Sequence, residues 1–402
     1  MFRVGYRQAS LKIIIVSPVP IHILTPEYPP KSGGVADHTK ILAAGLRKQG
    51  FQVVVWCPSN MGTKEEIDAG EVRPNLGRMR IQDLVPVGKR ILSQGGKVLL
   101  QWVPHGYGMR SINLPFCFWI WFLAKRGICV NLMAHEVFLP MEGTLKQKAA
   151  GIVQRLMIRL LLCGSHCACA STIRYCKFLQ EWSPTPAPRI QHMPIYSNIS
   201  VVKGADLVLS LRKKILGAKT NGFPRFIIGH FSTFNGMITP LLKACLRQIY
   251  TVEPEICFLL MGKGSVDFER DIRIEIPEIA KSCVATGLLT SEEVSLHLQC
   301  CDIMLQPYSG GVDTRNGSAL ASISHGKPLA TFYGLRTETL WREKGVSIYS
   351  ECEDVNALCC QILLLLDDRE RLARMGEAAR QLYLEEFAVD ISIRHFTELL
   401  SE

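Results

Sequence analysis

No apolar run in this 402-residue chain is long enough to cross a bilayer. The longest, "INLPFCFWIWFLAKRGICV", is interrupted by Lys125, Arg126 and Gly127 after about ten apolar residues, half of what a spanning helix needs. Clustered charge is also scarce. Lys and Arg outnumber Asp and Glu by 46 to 36, a net charge of +10, yet they form no block and are not interleaved with aromatics. That pattern argues against a nucleic-acid partner and leaves small anions, such as nucleotides or lipid head groups, as the partners that fit the sign. Polar bias is missing too: with 48% hydrophobic and 20% charged residues the chain falls among folded globular proteins rather than disordered ones.

Cysteines are plentiful, fifteen in all, but many sit inside apolar runs (Cys117, Cys129, Cys257, Cys359, Cys360), which fits small buried hydrophobes in a reducing, cytoplasmic setting better than a disulfide framework. In "CGSHCACAS", Cys163, His166, Cys167 and Cys169 could form a zinc site or could simply mark the passage from a helix to a buried strand. No Cys-x2-Cys spacing is present there, and the second reading is expected, with no metal. The opening "MFRVGYRQASLKIIIVSPVP" places basic residues before an apolar run, as a signal peptide does. The run is short, prolines follow at once and an Ala-x-Ala site is missing, so a first buried strand is expected.

What is present is alternation. Short β-branched runs ("KIIIV", "FQVVVW", "KVLLQWV", "ICVNLMAH", "HCACAS") are separated by helix-length amphipathic segments. A second series follows residue 220: "RFIIGHF", "EICFLLMG", "SCVATG", "CDIMLQP" and "KPLATF". Such a pattern predicts an α/β protein of two doubly wound Rossmann-like domains facing a cleft. The proline-rich "EWSPTPAPRIQHMP" and the later "LGAKTNGFP" set the division. Expected bounds are an amino-terminal domain over 1–197, a linker over 198–222, a carboxy-terminal domain over 223–385, and a final helix over 386–402 returning toward the first domain.

Ligands of open α/β sheets bind beyond the carboxyl ends of the strands, so the loops that leave them are where chemistry is sought. Gly33 and Gly34 open a helix whose free amides attract a phosphate or sugar oxygen, or they form an ordinary turn. His135, followed by Glu136, leaves a strand at the rim, where an imidazole can meet a substrate hydroxyl or be satisfied by local backbone. In the second half, His230, Ser232, Thr233 and Asn235 follow the first strand. Gly262, Lys263 and Gly264 follow the next, and Gly287 and Leu288 the third. "PYSGGVDTRNG" then sets Asp313 and Arg315 just before a helix starting near Gly317. A guanidinium beside helix amides has the form of a diphosphate clamp.

Over nearly its whole length the chain resembles a retaining glycosyltransferase of the two-Rossmann-domain (GT-B) fold, in the family 4 or "group 1" class. "GGVADHTKILAAGLRKQGFQVVVW", "MAHEVF", "LLMGKG", "TGLLTSEEVSLHLQCCDIMLQPY" and "GSALASISHGKPLAT" carry the likeness, in order and spacing. The resemblance implies a hexosyltransferase that takes a nucleotide-diphosphate sugar as donor and a glycan or lipid-linked hydroxyl as acceptor, without metal or other cofactor. It implies that His135 contacts the donor sugar near the reacting carbon. Gly33 and Gly34 would offer amides, Lys263 would lie near the diphosphate, Gly287 and Leu288 would pack the base, and Gly317 and Ser318 would meet phosphate.

Two motifs depart from the pattern. The family's two glutamates, eight positions apart, fall on Asp313 and Ala321, and its basic pair after the first donor-half strand falls on His230 and Asn235. Asp313 therefore joins His135 as a catalytic candidate, while His230, Thr233 and Arg315 join the donor-binding set. A catalytically inactive binding protein and a sugar-nucleotide epimerase of the same fold are the other readings. Basic residues among large apolar ones in "LPFCFWIWFLAKR" and "TLKQKAAGIVQRLMIRLLL" add the expectation of peripheral contact with an anionic membrane, at its inner face.

Overall fold

The structure, a computed structural model, describes residues 19–31, 33–139, 144–217 and 226–402. Strands β1 (Ile21–Leu24), β2 (Val53–Trp56), β3 (Val72–Arg73), β4 (Lys97–Trp102), β5 (Cys129–Ala134), β6 (Cys167–Ala170) and β7 (Arg189–His192) form one sheet in the order β3-β2-β1-β4-β5-β6-β7. Strands β8 (Phe226–Phe231), β9 (Ile256–Met261), β10 (Cys283–Ala285), β11 (Ile303–Gln306), β12 (Leu329–Tyr333) and β13 (Ser347–Glu351) form the other, in the order β10-β9-β8-β11-β12-β13. Every pairing is parallel. A parallel strand covered by helices on both faces must be apolar at every position, which is why "VVVW" and "ICFLLM" are buried from end to end. The chain therefore has two Rossmann-like halves.

The "KIIIV" run lies outside the described residues, and the first described strand at the centre of the first sheet is the following "IHIL", Ile21–Leu24. A histidine inside that strand hides it from an apolar-run search. His22 is tolerated because its Nε2 lies 3.0 Å from the Gly95 carbonyl and its Nδ1 accepts the Trp56 indole N–H at 3.2 Å. Among the described residues of the expected linker, 198–222, a helix over Ala205–Gly217 packs on the Ser291–Cys300 helix of the second half.

The helix Gly34–Lys48 buries Ala36, Thr39, Leu42, Ala43 and Leu46, a stripe with helical spacing, and places Asp37 in its first turn and Arg47 and Lys48 in its last, matching the helix dipole. The last helix, Val389–Ser401, lies on it. Gly45 leaves room for Ile393, and Phe396, Leu399 and Leu400 enter the core formed by Ile21, Ile23, Val53 and Val55.

In both sheets the strand order reverses beside the first strand, between β1 and β4 and between β8 and β11. Loops that leave these strands at their carboxyl ends diverge there and open a crevice. The residues after β4 and β5, and those after β8 and β11, thus face the site.

Candidate functional site

His135 is the first residue beyond β5, anchored by its amide to the Trp102 carbonyl at 2.9 Å. Only 6% exposed, it sets its Nε2 2.7 Å from Gln101 Oε1 on β4. Burial is the main reason its pKa is pushed down to about 4, with Glu136 pulling the other way and Arg315 adding to the fall. The imidazole is neutral at physiological pH, suited to hydrogen-bonding a hydroxyl rather than neutralising a phosphate. A second buried imidazole, His38 of the Gly34–Lys48 helix, stands at 80° to it with ring centroids 4.8 Å apart. His38 in turn stacks on Tyr196 at 4.6 Å. Burial, and then His135, hold His38 well below the ordinary histidine range.

The two halves meet around this rim. Arg315 Nη1 lies 2.8 Å from Glu136 Oε1, and the other carboxylate oxygen is 3.3 Å from His105 Nδ1. The guanidinium also sits over the Tyr175 ring, 5.3 Å from its centroid. Burial, the largest influence on Glu136, favours its neutral form, but His105 and Arg315 outweigh it and hold the carboxyl below its usual range. Next to this pair, Glu338 joins the halves. Its carboxylate accepts Ile173 N from the first half at 3.0 Å and Thr314 N from the second at 2.7 Å, while Thr314 Oγ1 donates to the Ser171 carbonyl at 2.8 Å. Glu338→Gln puts an N–H₂ group against one of those donors. Chemical denaturation should show a loss of about 1–2 kcal/mol, and a stability unchanged within error would show that the junction is not held by this carboxylate.

In the second half, the loops after β8, β9 and β10 are brought together by backbone contact. Gly262 N donates to the Gly287 carbonyl at 3.2 Å, and Gly287 N to Ser265 Oγ at 2.9 Å. Gly262 and Gly264, with φ of +110° and +93°, admit no side chain, because a Cβ would press on the Ser232 and Thr233 carbonyls. Thr233, Lys263 and Gly287 are thereby gathered, with Lys263 exposed and Leu288 79% exposed. Across β8, Asp313 Oδ1 accepts Arg315 N at 3.1 Å, and Asp313 N donates to Asn316 Oδ1 at 2.8 Å. That turn launches the helix Gly317–Ser324. Ser318 Oγ lies 2.6 Å from Tyr308 Oη.

His230 differs from the rest. Both of its nitrogens are engaged internally, Nδ1 with the Leu305 carbonyl at 2.7 Å and Nε2 with Ser232 Oγ at 2.8 Å, and burial pushes its pKa down to about 4. Its side chain braces the post-β8 loop and has neither charge nor a nitrogen left over for a ligand. Asn235 likewise uses its Oδ1 on Met237 N and Ile238 N. In the first half, Gly33 precedes the helix with an extended backbone beside the Glu27 carboxylate, whereas Gly34 faces open space.

Neither a family model nor a curated protein sequence matches the chain. Solved structures do. Anabaena HepE in complex with UDP and glucose superimposes with a TM-score of 0.69 at 13% identity, over 95% of this chain and 99% of that one. Sucrose-phosphate synthase from Thermosynechococcus elongatus gives 0.68 at 12%, over 95% and 98%, and a glycosyltransferase from Rickettsia africae 0.70 at 13%, over 96% and 98%. The fold is GT-B.

Within the GT-B frame, several side chains at the cleft had no signal in the sequence reading: Gln101, His38, His105, Tyr175 and Glu338. Gln101 and His38 are visible in hindsight as polar residues on otherwise apolar faces. Glu338 acts 165 positions from Ile173, and no local pattern encodes that. Cys167 and Cys169 lie buried in β6 while Cys163 is exposed. Among the described residues no three His, Cys, Asp or Glu side chains converge as metal ligands would.

Proposed function

We propose that this protein is a glycosyltransferase that moves a hexose from a nucleotide-diphosphate sugar to a hydroxyl acceptor, with retention of configuration. The observation that carries the reading is the Arg315–Glu136 contact, which brings the loop before the Gly317–Ser324 helix against the rim that holds His135. Arg315 and the amides of Gly317 and Ser318, at the start of that helix, form an anion seat, and Lys263 adds charge from the neighbouring loop. Fold neighbours solved with UDP and UDP-glucose support a nucleotide sugar as the ligand class. The bond from sugar carbon to diphosphate oxygen breaks, the acceptor oxygen bonds to that carbon on the same face, and the acceptor proton passes to the departing diphosphate. Arg315 and the helix amides stabilise the charge that grows on the diphosphate.

A thermal-shift panel of UDP-, GDP-, TDP- and ADP-sugars tests the reading. A donor at a hundred times its dissociation constant stabilises by about 2.7 kcal/mol, and its sugar should then appear on an acceptor, or on water, by mass spectrometry. Silence across the panel would overturn it. One observation favours a second reading, a binding protein without turnover. The two positions that would supply a basic pair hold a neutral, internally satisfied His230 and a turn-capping Asn235. Donor binding without transfer or hydrolysis would decide for it.

The acceptor side faces an anionic membrane. The helices Leu114–Lys125 and Leu145–Gly164 pack on each other and leave Phe118, Phe122, Leu145, Ile152 and Leu156 exposed, with Lys125, Arg126, Lys146 and Lys148 beside them. Arg155 is not part of this face, since it turns inward over the Phe138 ring, 3.9 Å from its centroid. No described helix is long and apolar enough to cross a membrane. Co-sedimentation with vesicles should rise with anionic lipid and fall with added salt, because exposed charge is screened over roughly 10 Å at 0.1 M. Protein that stays in the supernatant at low salt would remove the membrane and point to a water-soluble acceptor.

A further inference from the structure

Gln101 is the one polar residue in the fully buried part of β4, Val98–Trp102. Alternation puts it on the strand face of Leu99, which packs with Met133, Leu42 and Leu46 under the Gly34–Lys48 helix, where a leucine or methionine would suit the surroundings. Instead the position holds an amide whose Nε2 is sealed from solvent without a hydrogen-bond partner. An unpaired buried donor works against stability, so its persistence calls for a use elsewhere in the side chain. That use is visible at the other end of the amide: Oε1 is 2.7 Å from His135 Nε2.

With the Gln101 amide turned so that Oε1 faces the ring, that oxygen can only accept, and in this orientation the proton of His135 resides on Nε2. The other nitrogen, Nδ1, then carries a lone pair. Both nitrogens of His38 are sealed and unpartnered, whereas Nδ1 of His135 is not sealed, and the ring retains its exposure at the rim, next to Glu136 and Arg315. His38, edge-to-face against His135 and stacked on Tyr196, blocks the ring from rotating away from this arrangement.

We infer that Gln101 is a positioning residue: it fixes His135 in the Nε2–H tautomer, so that Nδ1 presents an acceptor to the cleft and takes a hydrogen bond from a hydroxyl of the bound donor sugar. The hydroxyl contact rests on the transferase reading, whereas the tautomer does not. Neutrality of His135 at working pH is consistent with it, because an imidazolium would offer no lone pair.

Nitrogen-15 NMR of the histidine-labelled full chain, with His135 assigned from its loss in His135→Gln, reads the tautomer with no donor present. The wild-type protein should show Nε2 protonated. Gln101→Leu, which keeps the bulk and removes the acceptor, should show mixed tautomers, with kcat lowered about 10- to 100-fold and donor KM changed less than about threefold. Gln101→Glu sets a carboxylate against Nε2–H, favours the imidazolium, and should move the acid limb of the kcat profile up by at least about one pH unit. Melting temperatures of the folded variants separate these effects from damage to the core. A pure Nε2–H signature that persists in Gln101→Leu overturns the inference, as does a Gln101→Glu profile identical to wild type. If the wild-type chain transfers no sugar, the transferase reading falls, and the tautomer measurement still decides the role of Gln101.

Discussion

Turnover in His135→Ala is expected to fall about 10²–10³-fold, the scale of losing one preorganised polar contact at a reacting centre, while the donor KM changes by less than about threefold. The asymmetry follows from where the imidazole stands. Neutral and mostly buried beyond β5, it has no charge with which to hold a diphosphate, so in the proposed transfer its part is to orient the sugar. Steady-state kinetics at saturating acceptor make the measurement. A rise in KM with unchanged kcat would show that His135 only shapes the loop, and normal kinetics would remove it from the site.

Arg315→Ala should weaken nucleoside diphosphate binding by about 1.5–3 kcal/mol, roughly 10- to 150-fold, as calorimetry would report. This guanidinium is engaged by Glu136 across the cleft and by the Tyr175 ring, so a diphosphate would compete with a partner already in place. Glu136→Gln removes the competing charge and should bind the nucleotide at least as tightly as wild type. The opposite signs of the two variants are the informative result. Equal losses would mean that the ion pair builds the pocket, and unchanged affinity in Arg315→Ala would place the diphosphate elsewhere.

The sequence carried the fold well, because parallel strands buried on both faces leave uninterrupted apolar runs: "FQVVVW", "EICFLLMG" and "CDIMLQP" all became strands. Where burial is partial or the strand is short, the signal disappears. β3 has two residues, and β7, "RIQH", is an edge strand with no fully buried position. The glycine turns of the second half were equally legible, since positive φ at Gly262, Gly264 and Gly287 demands glycine and leaves it visible in the text. Side chains recruited across the cleft were not. Glu338 and His105 look like ordinary surface residues until the halves are assembled. His230 shows the converse, a residue placed beside the site by sequence spacing whose hydrogen-bonding capacity is spent inside the loop.

The return of the last helix to the first half has a consequence for synthesis. Ile23 and Val55 share a core with Phe396 and Leu400, so the first half leaves the ribosome with an open apolar slot that stays open until the Val389–Ser401 helix has emerged. Domains as a rule fold one after another from the amino end. Here the first sheet can pair its strands early, but it closes its core only after the whole second half has been made. A nascent chain stalled anywhere before residue 393 presents that slot to chaperones and to other nascent chains.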